Sequence, residues 1–454
     1  MRNLKIGYVA LAKASFDLEL AARYKSKALG LLNGFDNIDV FDAGQIITLE
    51  TEVPGVIKNF KGNQIDLLLV HYCTFSLGTI TPTLAANLNV PIVLLSTPEA
   101  DFEGNRVRSN SFCALNLNTY TLSNLKKKHR YIFNSLDDSS IIKDFQVIFT
   151  AVQTIKNLKN TRVGLIGARA PGFYTSNFDE LKLLNELGVS VEHIDISKVY
   201  HRAGQVSEKQ VEEEGEELLK SINYQSRVSP NHLENLIRTR SSFSGLSEEF
   251  ALDALAVKCW PEFHADYGTP ACAAIGMMNS KIPTAAEGDV YGAVTMLMQR
   301  HITGQIPFFS DFIYSDEKEN TGIFWHCGCA SMELAGDKSE ITLDNFAGKA
   351  KAAPDKGCVM NFQIFSENKR VTVNRIGTDC DGNFRILDIT GENIKGNLEI
   401  RGNYSQLKFD NPVESVRKGI LDNGFEHHYS LIMQDISAIV EEISFWKGFK
   451  LYRL

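Results

Sequence analysis

Short apolar runs rich in branched residues alternate with segments of helical spacing along the first third of the chain, and few folds accommodate that alternation. Lys5–Leu11, Ile38–Phe41, Ile65–His71 and Pro91–Ser96 show no polar/apolar alternation, so they read as strands buried on both faces. Between them, Leu18–Leu32, Val53–Phe60 and Leu77–Leu88 repeat apolar residues at helical intervals. This order predicts a parallel sheet covered by helices on both sides. A long helical stretch, Ile141–Leu158, ends in a polar Lys-Asn-Thr turn, and a domain boundary is expected near residue 155. A second alternation then starts at Val163, with Phe178–Leu187 helical and Val189–Ile194 extended. It continues through Ala254–Val257, Ala271–Met278 and a helix after Glu287.

From about residue 337 the period changes. Val359–Phe365, Arg370–Arg375, Asn383–Ile389 and Asn397–Ile400 are short alternating runs separated by Gly, Asn and Asp, the pattern of an antiparallel sheet or small barrel. His428–Trp446 returns to helical spacing. The expected fold is α/β. Two parallel-sheet, Rossmann-like domains (1–155 and 156–336) precede a β-rich, barrel-like domain (337–454) with a terminal helix, and the second domain carries most of the active site.

Composition removes several function classes. With 44% apolar and 22% charged residues among 454, the chain can build sizeable cores, so disorder is excluded as its main state. Lys plus Arg number 47 against 55 Asp plus Glu, and no basic run carries interleaved aromatics, which argues against a nucleic-acid partner. No window reaches the ~18 uncharged apolar residues of a membrane helix, and the N-terminus lacks the apolar core and cleavage site of a secretory signal. The eight cysteines lie far apart; the close pair, Cys327 and Cys329, lacks the two-residue spacer of redox and zinc motifs. Free thiols in a reducing cytoplasm are therefore expected.

The Gly-rich turn Gly164–Gly172 follows a strand but matches neither the dinucleotide fingerprint nor the P-loop, and is read as a tight turn beside the ligand crevice. Chemistry concentrates at 254–330. Ala254–Val257 runs into Lys258, Trp260 and Glu262, with Pro261 stopping the strand. A second strand ends at Ala286-Glu287-Gly288-Asp289 before a helix, where acidic residues are also favoured by the helix dipole alone. Asp311 sits in the aromatic run Phe308–Tyr314, His326 in another apolar strand, and His427-His428 at a turn near the C-terminus. A buried carboxylate needs a partner, and carboxylates with imidazoles at strand ends suit a divalent cation.

In Ala286–Asp289 leading a helix, Asp311 in the next strand, His326, and the Gly424–His428 turn, the chain resembles the L-fucose and L-arabinose isomerases, metal-dependent aldose–ketose isomerases. The resemblance implies a metal held by Glu287, Asp311 and His428: Mn²⁺, or another divalent cation such as Co²⁺ or Mg²⁺. It implies Glu287 and Asp311 as the acid/base pair. The sugar would be met by Lys258, Trp260 and Glu262 lining the pocket, with Asp289, His326 and His427 beside it. Arabinose-type members use a further histidine, falling on His326, but have Glu where Asp311 stands; fucose-type members have Asp there. The family forms trimers and hexamers, so a homo-oligomer is expected. Two other readings compete: a non-catalytic cytosolic sugar-binding or sensor protein, and a non-haem iron enzyme, whose facial triad needs only one carboxylate.

Overall fold

The computed structural model describes residues 3–99, 101–102, 106–222, 228–344 and 357–454. Contacts divide the chain into two units, Met1–Lys156 and Asn157–Leu454.

The first unit is a five-stranded parallel sheet built from β1 (Leu4–Leu11), β2 (Ile38–Asp42), β3 (Leu67–Tyr72), β4 (Ile92–Ser96) and β5 (His129–Phe133). Its order, β2-β1-β3-β4-β5, is that of a doubly wound α/β fold. Strands β3 and β4 are buried throughout, which accounts for their largely apolar sequence. Strand β5 pairs only with β4 at the sheet edge, and its sequence, His-Arg-Tyr-Ile-Phe, buries Ile132 alone. That polarity hid it from a reading based on apolar runs.

The second unit opens with a four-stranded parallel sheet of β6 (Arg162–Ile166), β7 (Ser190–Ile194), β8 (Ala254–Val257) and β9 (Thr284–Ala286), in the order β7-β6-β8-β9. The charged stretch after β7 forms three helices: Ile196–Ala203, Glu208–Ser221 and Pro230–Glu249. Side chains of Ser207 and Ser229 cap the latter two.

The remaining strands are β10 (Phe308–Asp316), β11 (Thr321–His326), β12 (Thr342–Asp344), β13 (Val359–Gln363), β14 (Arg370–Thr378), β15 (Phe384–Ile394), β16 (Asn403–Phe409), β17 (His428–Ile432) and β18 (Lys450–Arg453). Six of them, β11-β10-β17-β14-β15-β16, close into an antiparallel ring, because β16 pairs with both β15 and β11. This is the barrel anticipated by the alternating pattern. Its first two strands come from 308–326, ahead of the boundary expected at 336, so the barrel begins within the stretch assigned to the second domain.

Two element readings are corrected. His428–Trp446 is not a continuous helix: His428–Ile432 is strand β17, and the helix spans Ser437–Lys447. Strand β17 is paired on both edges, with β10 and β14, and all five of its residues are buried. Its buried His428 and Ser430 broke the apolar pattern that marks such a strand. Asn397–Ile400 is likewise not a strand; the chain becomes extended only from Asn403.

The helix Val290–Thr303 packs against β8 and β9 of the parallel sheet and against β14 and β17 of the barrel. Its residues from Val290 to Gln299 are all buried. Gln299 fastens it to the barrel: Nε2 donates to Asn374 Oδ1 at 3.0 Å and to the Ser430 carbonyl at 2.9 Å, and Oε1 accepts from Ser430 Oγ at 2.7 Å. The helix's N-terminal turn is thereby held in register with β14 and β17.

Candidate active site

Strand β9 ends in two residues of left-handed backbone, Glu287 (φ +60°) and Gly288 (φ +69°). For a residue with a Cβ this conformation costs about 1–2 kcal/mol, so the surroundings must hold Glu287 in place. They do so through the Gly-rich turn after β6. Ala170 N donates to the Glu287 carbonyl at 3.4 Å, and a Cβ at Gly288 would lie 2.3 Å from the Ala168 carbonyl oxygen. Only glycine fits there, and the turn acts as a backbone buttress for the carboxylate.

One turn further on, Asp289 caps the helix Val290–Thr303, its Oδ1 accepting from Gly292 N at 2.8 Å. Its Oδ2 lies 2.5 Å from Arg375 Nη1 and 2.9 Å from His428 Nδ1, and all three side chains are 1% exposed. Burial alone would raise the Asp289 pKa, but the Arg375 charge and the His428 hydrogen bond hold it well below the usual carboxylate range. A buried carboxylate holding one imidazole nitrogen fixes the ring's orientation and turns the other nitrogen outward.

That other nitrogen, His428 Nε2, faces Glu287 Oε2 at 3.1 Å and Asp311 Oδ1 at 3.7 Å. Register explains the second contact: Asp311 on β10 is paired directly with His428 on β17, which puts both side chains on one face. Glu287 Oε1 accepts from Trp260 Nε1 at 3.2 Å, so the tryptophan orients the carboxylate while it lines the cavity. Despite burial, which works the other way, His428 and its neighbours hold Glu287 below its ordinary pKa. Against the same opposition, hydrogen bonds to Asp289 and Glu287 push His428 up to about 9.

Two buried polar atoms here have no hydrogen-bond partner, Asp311 Oδ1 and His326 Nε2. Such atoms are rare enough to need an explanation. They are also close together: ligand atoms of Asp311, His326 and His428 lie within 4.8 Å of one another, as do those of Glu287, His427 and His428. Two carboxylates and an imidazole that converge, with ligand atoms left unpartnered, form a set that a divalent cation would complete. Glu287, Asp311 and His428 could hold such an ion, with His326 and His427 alongside.

A cavity of about 360 Å³ opens on this cluster, with Trp260, Glu287, Asp311, Trp325, His326 and His264 in its wall. Its size falls within the range of small-molecule sites. Of the side chains expected at the substrate, Trp260 and His326 line it. His427 stands at its edge, 3.9 Å from Glu287 Oε2, held by Thr175 Oγ1 at 2.8 Å and packed edge-on against Phe173. Three others are directed elsewhere. Lys258 and Glu262 form an ion pair with each other and are not in the cavity wall. Asp289 is enclosed behind His428, where Arg375 neutralises it.

Sequence reasoning missed Arg375, Trp325 and His264. Arg375 did carry a signal: a guanidinium inside the strand Val-Thr-Val-Asn-Arg-Ile is buried only if a carboxylate meets it. Nothing local marked that carboxylate as Asp289.

Residues 7–159 match the family model described as fucose/sulfoquinovose isomerase, N-terminal domain, and likeness to curated proteins continues through the rest of the chain. The chain is thus similar, over its N-terminal third, to the fucose/sulfoquinovose isomerases. It is 26% identical over 453 residues to the sulfoquinovose isomerase of Priestia aryabhattai, covering 98% of this chain and 97% of that protein. It is 23% identical to the enzyme of the same name from Alkalicoccus urumqiensis, covering 97% of each. The sulfoquinovose isomerase of Clostridium sp. (strain MSTE9) is also 23% identical, covering 96% of each.

Proposed function

We propose that the chain is a divalent-metal-dependent aldose–ketose isomerase, and that its substrate is an anionic hexose of the sulfoquinovose type. The observation that carries this reading is the convergence of Glu287 and Asp311 on His428 Nε2, at 3.1 and 3.7 Å, beside a cavity of about 360 Å³. The names of the relatives supply the substrate.

Moving a carbonyl from C1 to C2 takes a proton from the carbon beside the carbonyl and returns one to its neighbour. A divalent cation such as Mn²⁺, Co²⁺ or Mg²⁺ would supply Lewis-acid polarisation of the sugar's oxygens. The remaining work falls to side chains. Glu287, held by Trp260 and kept ionised at neutral pH, is the base at one carbon, and Asp311 serves the other; such proton transfer is worth ~10²–10⁴-fold. The indole faces of Trp260 and Trp325 suit the apolar face of a pyranose ring. Asp289 keeps the His428 ring oriented and never meets the sugar.

A sensor would need donors for hydroxyls, not two carboxylates crowded around one imidazole. All eight cysteines are free, in keeping with a reducing cytoplasm, and no helix among the described residues is long and apolar enough to cross a membrane. We expect a homo-oligomer, a trimer or hexamer as in the isomerases it resembles.

The test is proton NMR of purified protein with sulfoquinovose, fucose, arabinose and a hexose 6-phosphate, with and without Mn²⁺. Aldose–ketose interconversion that requires the metal supports the proposal. No interconversion of any sugar with Mn²⁺ present would overturn it.

A further inference from the structure

The fold brings together cysteines that the sequence keeps apart. Cys272 opens the helix Cys272–Asn279, while Cys327 and Cys329 lie on the turn after β11, more than fifty residues later. The approach is built in at backbone level. A Cβ at Gly276, one helical turn after Cys272, would fall 2.5 Å from the Ala330 carbonyl oxygen, so only glycine lets the helix this close to the turn. Asn279 then locks it, its Nδ2 donating to the Cys329 carbonyl at 3.0 Å. On the far side Asn403 Oδ1 accepts from Ala330 N at 2.8 Å.

The three thiols end within 4.8 Å of one another, Cys272 Sγ to Cys327 Sγ at 3.2 Å and Cys327 Sγ to Cys329 Sγ at 4.0 Å. Tetrahedral bonds of about 2.3 Å to one zinc ion hold sulfurs about 3.8 Å apart, between those two distances. All three cysteines are buried and unpaired, yet Cys272 and Cys327 form part of the cavity wall, which gives an ion a route in. Thiols that merely fill a core have no reason to converge in threes beside an opening.

We propose that Cys272, Cys327 and Cys329 form a second metal site, selective for thiophilic ions such as Zn²⁺, Cd²⁺ or Cu⁺, in the wall of the same cavity. Soft sulfur donors reject the hard cations that suit carboxylate and imidazole, so the two sites sort ions by chemistry at close range. Cys327 directly follows His326, whose Nδ1 is 3.3 Å from the Cys327 sulfur, so an ion on the thiols sits against a residue facing the substrate cavity. This inference does not depend on the isomerase reading.

The experiment uses the full chain, reduced, with the exposed Cys113 and Cys380 replaced by Ser to remove background thiols. Cd²⁺ is the probe, read by the ultraviolet thiolate-to-metal absorption band and by calorimetry. We expect one Cd²⁺ per chain on the thiols. Cys272→Ser, Cys327→Ser and Cys329→Ser should each weaken binding by more than roughly tenfold. Cys358→Ser, a buried cysteine outside the cluster, should leave it unchanged, and Glu287→Gln should retain the band. X-ray absorption of the Zn²⁺-loaded wild-type chain should report three sulfur ligands, a readout that needs no variant to fold. Absence of a thiolate band, a band that survives all three cluster substitutions, or a first shell without sulfur would overturn the proposal.

Discussion

Asp289 shows how one carboxylate can serve three partners and how magnitudes separate its roles. As a helix cap alone, its loss would cost about 1 kcal/mol. As the counter-ion of a guanidinium that is 1% exposed, its loss leaves a buried charge uncompensated, which costs about 3–5 kcal/mol. Asp289→Asn keeps an oxygen for the cap but removes the charge, so we expect the larger figure in urea denaturation. The same variant should weaken Mn²⁺ binding by roughly 10–100-fold, because His428 loses the partner that orients it. Glu287→Gln is expected to behave oppositely: isomerisation abolished, with circular dichroism and thermal midpoint close to wild type. Retained turnover would remove Glu287 from its proposed role as base. The residues of this site were legible in the sequence as types at strand ends, and their assignment to individual roles came through resemblance. What joins them is strand register and long-range closure, at sequence separations of 86 from Asp289 to Arg375 and 139 from Asp289 to His428. No local pattern carries that information, and for the same reason Asp289 was expected at the sugar and not behind the histidine.

At the scale of elements, legibility followed burial. Strands covered on both faces stood out as apolar runs, and the barrel's alternation was visible from β14 to β15. Elements that bury polar groups, such as β17, or that lie at an edge, such as β5, did not stand out. The helix Ser111–Asn124 is a further case, since the segment leading into it is fastened by a carboxylate from outside the element. Glu99 accepts from the backbone N–H groups of Arg108, Ser109 and Asn110 at 2.9, 2.8 and 2.7 Å, and from Ser109 Oγ at 2.8 Å. Its modest burial alone would raise the pKa; these hydrogen bonds outweigh it and lower the value. A carboxylate depressed in the folded state stabilises fully above its unfolded pKa and loses that contribution as pH falls through the folded value. Glu99→Gln should therefore lower the urea midpoint of the N-terminal unit at pH 7, with the gap to wild type closing below about pH 4. A gap that stays constant across that range would mean that the charge contributes nothing.

Exhaustive chelation should abolish isomerisation, and Mn²⁺ should restore it. If the ion binds only the folded chain, then at a hundred times its dissociation constant it should add about 2.7 kcal/mol of stability, seen as a raised thermal midpoint. An unchanged midpoint on adding Mn²⁺ would place the metal outside the folded structure's cluster. Light scattering should give a mass three or six times that of one chain.

The strand that bears His428 also sets an order of events during synthesis. Strand β17 fills the slot between β10 and β14, and 102 residues separate His326 from His428. At roughly 5–20 residues per second, a ribosome takes several seconds or more to supply it. Until it arrives, β10, and β14 once made, carry bare edges where β17 will sit, ready to pair with any extended neighbour. A chain cut short before residue 428 would keep those edges bare and lack His428, so the strand that would complete the proposed site is also the one that covers the open edges of β10 and β14.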